Sequence, residues 1–209
     1  MRTKPLATMR GALRWGLALV VSALLWTPPA HAERYRVDLI VFLDLEASGE
    51  QGAAPQPPMQ SAAIALDDAA ALQAAGIRVL PDAEFGLQEH WNRLRNSRRF
   101  RPLVRLAWEQ AQPPAANGPR LAIRHGEPMP VHDTLTANSF LVQPVEGSVG
   151  LLMSRYLHLD VDLRYTTADA TSQYALTERR RMRRDELHHL DSPRLGLLAR
   201  IRAVEETRP

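Results

Sequence analysis

Residues 149–165 (VGLLMSRYLHLDVDLRY) alternate in side-chain character over seventeen positions, and no other segment restricts the fold as much. Val149, Leu151, Met153, Leu157, Leu159, Val161, Leu163 and Tyr165 fall on one side, with Arg155 the exception. Gly150, Leu152, Ser154, Tyr156, His158, Asp160, Asp162 and Arg164 fall on the other. Successive strand side chains point to opposite faces, so this period of two describes an antiparallel sheet with one face on a core and one in water. Seventeen residues are long for one strand, which predicts a bulge or bend within the segment.

The same period recurs elsewhere. In residues 35–45 (YRVDLIVFLDL), Tyr35, Val37, Leu39, Val41 and Leu43 share one face, and Ile40 and Phe42 give the other an apolar centre. A strand apolar on both faces belongs in the middle of a sheet. Further strands are expected at 77–81, 99–109 (Val104, Leu106 and Trp108 on one face; Leu103, Arg105 and Ala107 on the other), 121–125, 139–142, 173–184 and 195–204. Two short helices are read in the first third of the chain beyond residue 32. One spans 67–76, with Asp67 and Asp68 at its start and Gly76 at its stop; the other spans 84–98, with Leu87, Trp91 and Leu94 at helical spacing. Segments 46–62 and 110–119, rich in Gly, Pro, Gln and Ala, read as flexible loops; 126–138 reads as irregular and 185–194 as turn-rich. The fold class is therefore α+β, mainly antiparallel sheet.

The N-terminus reads as an export signal. Arg2, Lys4, Arg10 and Arg14 precede twelve apolar residues at 15–26, and Ala30-His31-Ala32 supplies a cleavage site, so residues 1–32 are expected to be a signal peptide. Twelve residues of helix span about 18 Å, short of the roughly 30 Å hydrocarbon core, so no membrane span is expected after cleavage. The expected product is a single periplasmic domain, 33–209. Its charge differs from that of the whole chain: 26 basic and 23 acidic residues become 22 and 23, which removes the global case for nucleic-acid binding. All 22 are Arg, whose planar forks suit carboxylate and phosphate. The chain has no Cys, which excludes disulfides, thiol catalysis and Cys-based metal sites.

Three groups of residues invite a function. Arg179, Arg180, Arg181, Arg183 and Arg184 lie within six positions, as a salt-bridged outer face or an anion-binding strip. Arg93, Arg95, Arg98, Arg99, Arg101 and Arg105 lie between Trp91 and Trp108; core tryptophans beside a solvated helix end are the favoured reading. His158, Asp160 and Asp162, with His188, His189 and Asp191, offer oxygen and nitrogen donors, but their spacing matches no zinc-hydrolase motif. G-x-S-x-G, P-loop and G-x-G-x-x-G motifs are absent. No enzymatic activity, cofactor or metal is expected; a metal-dependent hydrolase on His158, Asp160 and His188 is the weakest alternative.

Residues 155–163 (RYLHLDVDL), followed by Arg180-Arg181-Met182-Arg183, by 186–193 (ELHHLDSP) and by Leu195-Gly196, resemble the CsiV family of periplasmic peptidoglycan-binding proteins in order and spacing. The opening strand at 35–42 and the segment 103–110, ending Trp108-Glu109-Gln110, resemble it too. The family pattern carries an aromatic residue after the first His and a His before the Pro, where this chain has His189 and Ser192. The resemblance implies a non-enzymatic role in cell-wall assembly, with peptidoglycan and the activator lipoprotein of a bifunctional penicillin-binding protein as partners. A pure protein adaptor without direct wall contact is the main alternative. From the residues themselves, Arg179, Arg181 and Arg183 are expected to contact carboxylates. Tyr156 and His158 are expected to stack on or hydrogen-bond to sugar or peptide, with His188 and Asp191 completing the surface.

Overall fold

The computed structural model describes residues 33–47, 51–59, 62–133 and 138–204. The chain divides after Ala32 into two units, and the described residues lie in the second; the expected signal peptide lies outside them. Eleven strands are described: β1 (Arg34–Asp44), β2 (Ile77–Val79), β3 (Phe100–Ala111), β4 (Arg120–His125), β5 (Met129–Asp133), β6 (Asn138–Val142), β7 (Val145–Met153), β8 (Leu157–Thr166), β9 (Gln173–Met182), β10 (Leu187–Asp191) and β11 (Leu195–Val204). Two short helices, α1 (Ala69–Ala74) and α2 (Gln88–Arg95), both precede β3. The described chain is thus predominantly antiparallel sheet with little helix.

The strands form a five-stranded sheet of order β10-β11-β1-β3-β2, a four-stranded sheet of order β4-β7-β8-β9, and the hairpin β5–β6. β1 is central in the first sheet, and its two faces serve two cores. Val37, Leu39 and Val41 meet Leu151, Leu159, Val161 and Leu163 of the second sheet in the main core, with Trp108 wholly buried among them. Ile40 and Phe42, on the opposite face, pack against Phe85, Leu87 and Leu94, so that α2 covers the outside of the first sheet. Period two on both faces of one strand therefore produces three layers.

The attachment of that outer layer is polar. Asp38 is fully buried and accepts hydrogen bonds from Arg36 (3.1 Å), Arg202 (3.1 Å) and the Gly86 backbone N–H (2.7 Å). A Cβ at Gly86 would stand 2.7 Å from both Asp38 Oδ2 and Arg202 Nη2, so only glycine lets the backbone approach this closely. Arg200 donates to Gly86 O at 2.7 Å and Arg36 donates to Glu84 O. These anchors hold the chain in a 3-10 turn at 82–84, extended backbone at Phe85 and a turn at 86–87, so the helix expected at 84–98 is confined to Gln88–Arg95. Helix α1 follows its expected signals: the Asp68 side chain accepts from Ala71 N at 3.0 Å, and Gly76 takes φ +66°.

Four expectations are corrected. Residues 149–165 are no bent strand but a hairpin, β7 turning through Ser154, Arg155 and Tyr156 into β8. Leu103 packs on the main core rather than on the Arg105 side, because the β1–β3 register slips by one residue there. The segment expected to be irregular at 126–138 contains β5, paired with β6 despite Pro130. The turn-rich 185–194 contains β10, which pairs with β11 through a turn closed by Ser192 on Leu195.

Residues 51–59 and 62–64, within and just beyond an expected loop, lie against the second sheet. Ala53 bridges Gln173 on β9, and Pro57 O accepts from Arg164 on β8 at 3.4 Å. The Met59 backbone N–H reaches Glu146 on β7, and Ile64 pairs with Leu121 on β4. This segment is a strap across one end of the sheet's polar face.

Candidate functional site

The other end of that face is open, and the strand register composes it in rows. Ser148, Asp162 and Thr177 form one row; Arg120, Gly150, Asp160 and Arg179 the next; Leu152, His158 and Arg181 the last. The hairpin turn brings Tyr156 to the end of the last row. Residues 154–156 separate the directly paired Met153 and Leu157, an even step, so polar residues from both arms of the hairpin emerge on the same side.

Asp160 organises the middle of the face. Arg179 Nη2 lies 2.7 Å from its carboxylate on one side and Arg120 Nη1 2.9 Å on the other. Arg120 reaches across β7 because position 150 is glycine; a Cβ there would stand 3.3 Å from the Arg120 side chain. Arg120 also donates to Ser148 Oγ at 2.8 Å, which fixes the fork. Asp162 accepts from Thr177 Oγ1 at 3.0 Å. Two guanidinium groups on one carboxylate leave excess positive charge.

The last row carries its charge differently. The Arg181 guanidinium carbon lies over the Tyr156 ring, 3.4 Å from its centroid, and that of Arg155 stands 5.5 Å from the same centroid. Among the described residues Arg181 has no acidic partner. Tyr156 remains 37% exposed. His158 Nδ1 is 2.9 Å from Tyr156 O; a carbonyl only accepts, so Nδ1 carries the proton and Nε2 is left for a ligand. The result is an exposed aromatic and guanidinium stack beside an imidazole nitrogen.

The rest of the arginine run is largely salt-bridged. Arg180 pairs with Glu178 (2.6 Å), Arg183 with Glu186 (3.5 Å) and Arg184 with Glu33 (2.5 Å). Arg184 also donates to the Tyr35 hydroxyl at 2.7 Å; burial, then the hydrogen bond to Glu33, pushes that hydroxyl up to about 12. Of the expected site residues, Tyr156, His158, Arg179 and Arg181 therefore share one surface. Arg183 lies just past β9. His188 and Asp191 belong to β10 in the first sheet, where His188 Nε2 accepts from the Arg183 backbone N–H at 3.1 Å. His188 thus ties the two sheets at one corner, and Asp191 is exposed at the far end of β10. His189 stacks on Phe42 with centroids 5.8 Å apart, so its ring serves packing. Arg120, Ser148 and Gly150 were not expected here; only the β4–β7–β8 register brings them to Asp160.

The second basic stretch reads as structure. Trp108 is core, and Trp91 packs on the outer cluster under Arg105, 5.4 Å from its ring. Arg99 lies 2.6 Å from Asp44, and its hydrogen bond holds that carboxyl below its ordinary value. Among the described residues no three His, Asp or Glu side chains gather as a metal site, and no helix is long and apolar enough to cross a membrane.

A family model described as "Peptidoglycan-binding protein, CsiV" matches residues 13–204, nearly the whole chain. Searches of the curated proteins and of the solved structures gave no match.

Proposed function

The chain belongs to the CsiV family of peptidoglycan-binding proteins, and from that premise we propose that it is a periplasmic, non-enzymatic protein that binds the wall through the open polar face of its second sheet. The observation that carries the reading is the Arg181–Tyr156 stack. It presents a guanidinium without an acidic partner among the described residues, on an exposed ring, beside His158 Nε2. Peptidoglycan offers both matching groups: stem peptides end in carboxylates, which take an Arg fork, and sugar faces stack on aromatic rings. Arg179 and Arg183, each held by one carboxylate, extend the strip. His188 supports Arg183 through its backbone N–H, whereas Asp191 belongs to the first sheet.

Co-sedimentation of the purified protein with sacculi at low and moderate salt tests this. Exposed charge contacts are screened over about 10 Å at 0.1 M salt, so binding should weaken as salt rises. Reversing Arg179, Arg181 and Arg183 to Glu should weaken it roughly tenfold or more. Binding that survives the triple reversal sinks the proposal.

A second reading is the adaptor, in which the partner is the activator lipoprotein of a bifunctional penicillin-binding protein. The observation favouring it is β10, an edge strand with Leu187 42% exposed, open to strand addition. Pull-down of the purified lipoprotein without wall material separates the two readings.

A further inference from the structure

Beneath the strap, at the closed end of the same sheet, lies a cavity of about 240 Å³ lined by Met59, Arg124, Leu141, Val142 and Glu146 among others. Pockets for drug-sized ligands run to roughly 300–1,000 Å³, so this one admits an end group rather than a disaccharide. Glu146 is only 6% exposed, and its Oε1 is buried without a hydrogen-bond partner among the described residues. Its carboxylate receives one backbone N–H, from Met59. A buried orphan acceptor costs about 1–3 kcal/mol, so its persistence calls for a reason. Directly across the strand pair stands Arg124, exposed and without a hydrogen bond or ion pair among the described residues. Cross-strand neighbours have Cβ atoms about 5 Å apart, and the charges of Arg164, opposite Glu146 on the other side, and of Arg124 both act on this carboxylate. Yet among the described residues neither guanidinium makes an ion pair with it; Arg164 instead donates to Pro57 O.

We propose that the cavity binds a zwitterionic amino-acid group, with an ammonium and a carboxylate on one carbon. The ammonium donates to Glu146, and the carboxylate takes the Arg124 fork. Met59, Leu141 and Val142 receive the aliphatic part. A plain carboxylate would meet Glu146 and a plain amine would meet Arg124, so the paired charges select against both. Burial raises the Glu146 carboxyl above its ordinary value, and a bound ammonium favours its ionised form. Two sources carry this chemistry: a free amino acid, or the unlinked end of a diamino acid in a wall stem peptide. Only the second source rests on the wall-binding reading.

The test is titration of the purified protein, with ¹³C-methyl methionine, against three probes: meso-diaminopimelic acid, its form acetylated on both nitrogens, and a disaccharide tripeptide ending in that diamino acid. The Met59 methyl resonance should move with the free diamino acid and not with the acetylated one. Movement with the muropeptide as well assigns the wall as source; movement with the free acid alone assigns a small molecule. Glu146→Gln and Arg124→Ala should each weaken binding roughly tenfold or more. An unmoved Met59 signal, or equal binding of the acetylated form, overturns the proposal. Neither residue belongs to the open face. Lost titration with intact sedimentation therefore faults the cavity alone, and the reverse faults the face alone.

Discussion

Asp38 and Glu146 are both buried carboxylates, and their surroundings send them in opposite directions. Asp38 is fully enclosed, but two guanidinium groups and a backbone N–H satisfy it. Truncating it would strand Arg36 and Arg202, a change of the kind that costs about 3–5 kcal/mol. Glu146 has one backbone donor and an orphan oxygen, and burial raises its carboxyl from the ordinary 4.5. A carboxyl raised in the folded state contributes stability that is present below the unfolded value. That stability is lost as pH rises through the folded value. Glutamine does not titrate and still accepts from Met59. Glu146→Gln should therefore melt higher than the parent at pH 7, by roughly 2–4 °C for a gain on the order of 1 kcal/mol. The gap should close at pH 4. Melting curves at the two pH values check this; a gap that is wider at pH 4 refutes it.

At the scale of elements, the edge strand β9 shows how the sheet ends. Leu176 and Met182 point into the core, but Glu178 and Arg180, of the same parity, are paired with each other and partly exposed. Charges on the core-facing side of an edge strand prevent another sheet from adding there. Replacing both with Val should leave the monomer folded and drive edge-to-edge association, visible as a concentration-dependent mass increase by light scattering. A variant that stays monomeric at high concentration would assign the pair to stability alone. The same element shows what periodicity can reveal. Alternation reports which side chains share a face, and it did so for β1, β8 and β9. It does not report direction: the β7–β8 turn falls between residues four apart, so parity runs through the reversal unbroken. Leu103 departs from its expected face for the complementary reason, since a one-residue bulge shifts parity without changing composition. β5 and β10 leave no periodic signal because short strands with Pro, His and Asp carry too few apolar positions to set a period.

For the whole molecule, the site is legible as far as local parity extends. Parity puts His158, Arg179 and Arg181 on one surface because they lie on alternating strands, whereas His188 and Asp191, expected to complete that surface, lie on β10 of the other sheet. The two faces of the sandwich now separate two basic regions. Arg179 and Arg181 lie outside the second sheet. Arg95 and Arg98, on and just beyond α2, are exposed outside the first, and neither has an ion pair among the described residues. If binding followed total charge, reversing either pair would act alike, because both double variants reach the same net charge and long-range attraction is insensitive to detail. If it follows the stack on Tyr156, only Arg179→Glu with Arg181→Glu should weaken sacculus binding, and Tyr156→Ala should weaken it with no change of charge at all. Arg95→Glu with Arg98→Glu should leave binding within about twofold, since exposed charges beyond a Debye length are largely screened at 0.1 M salt. Equal losses in the two double variants would make the attraction non-specific and remove the open face as the recognition surface.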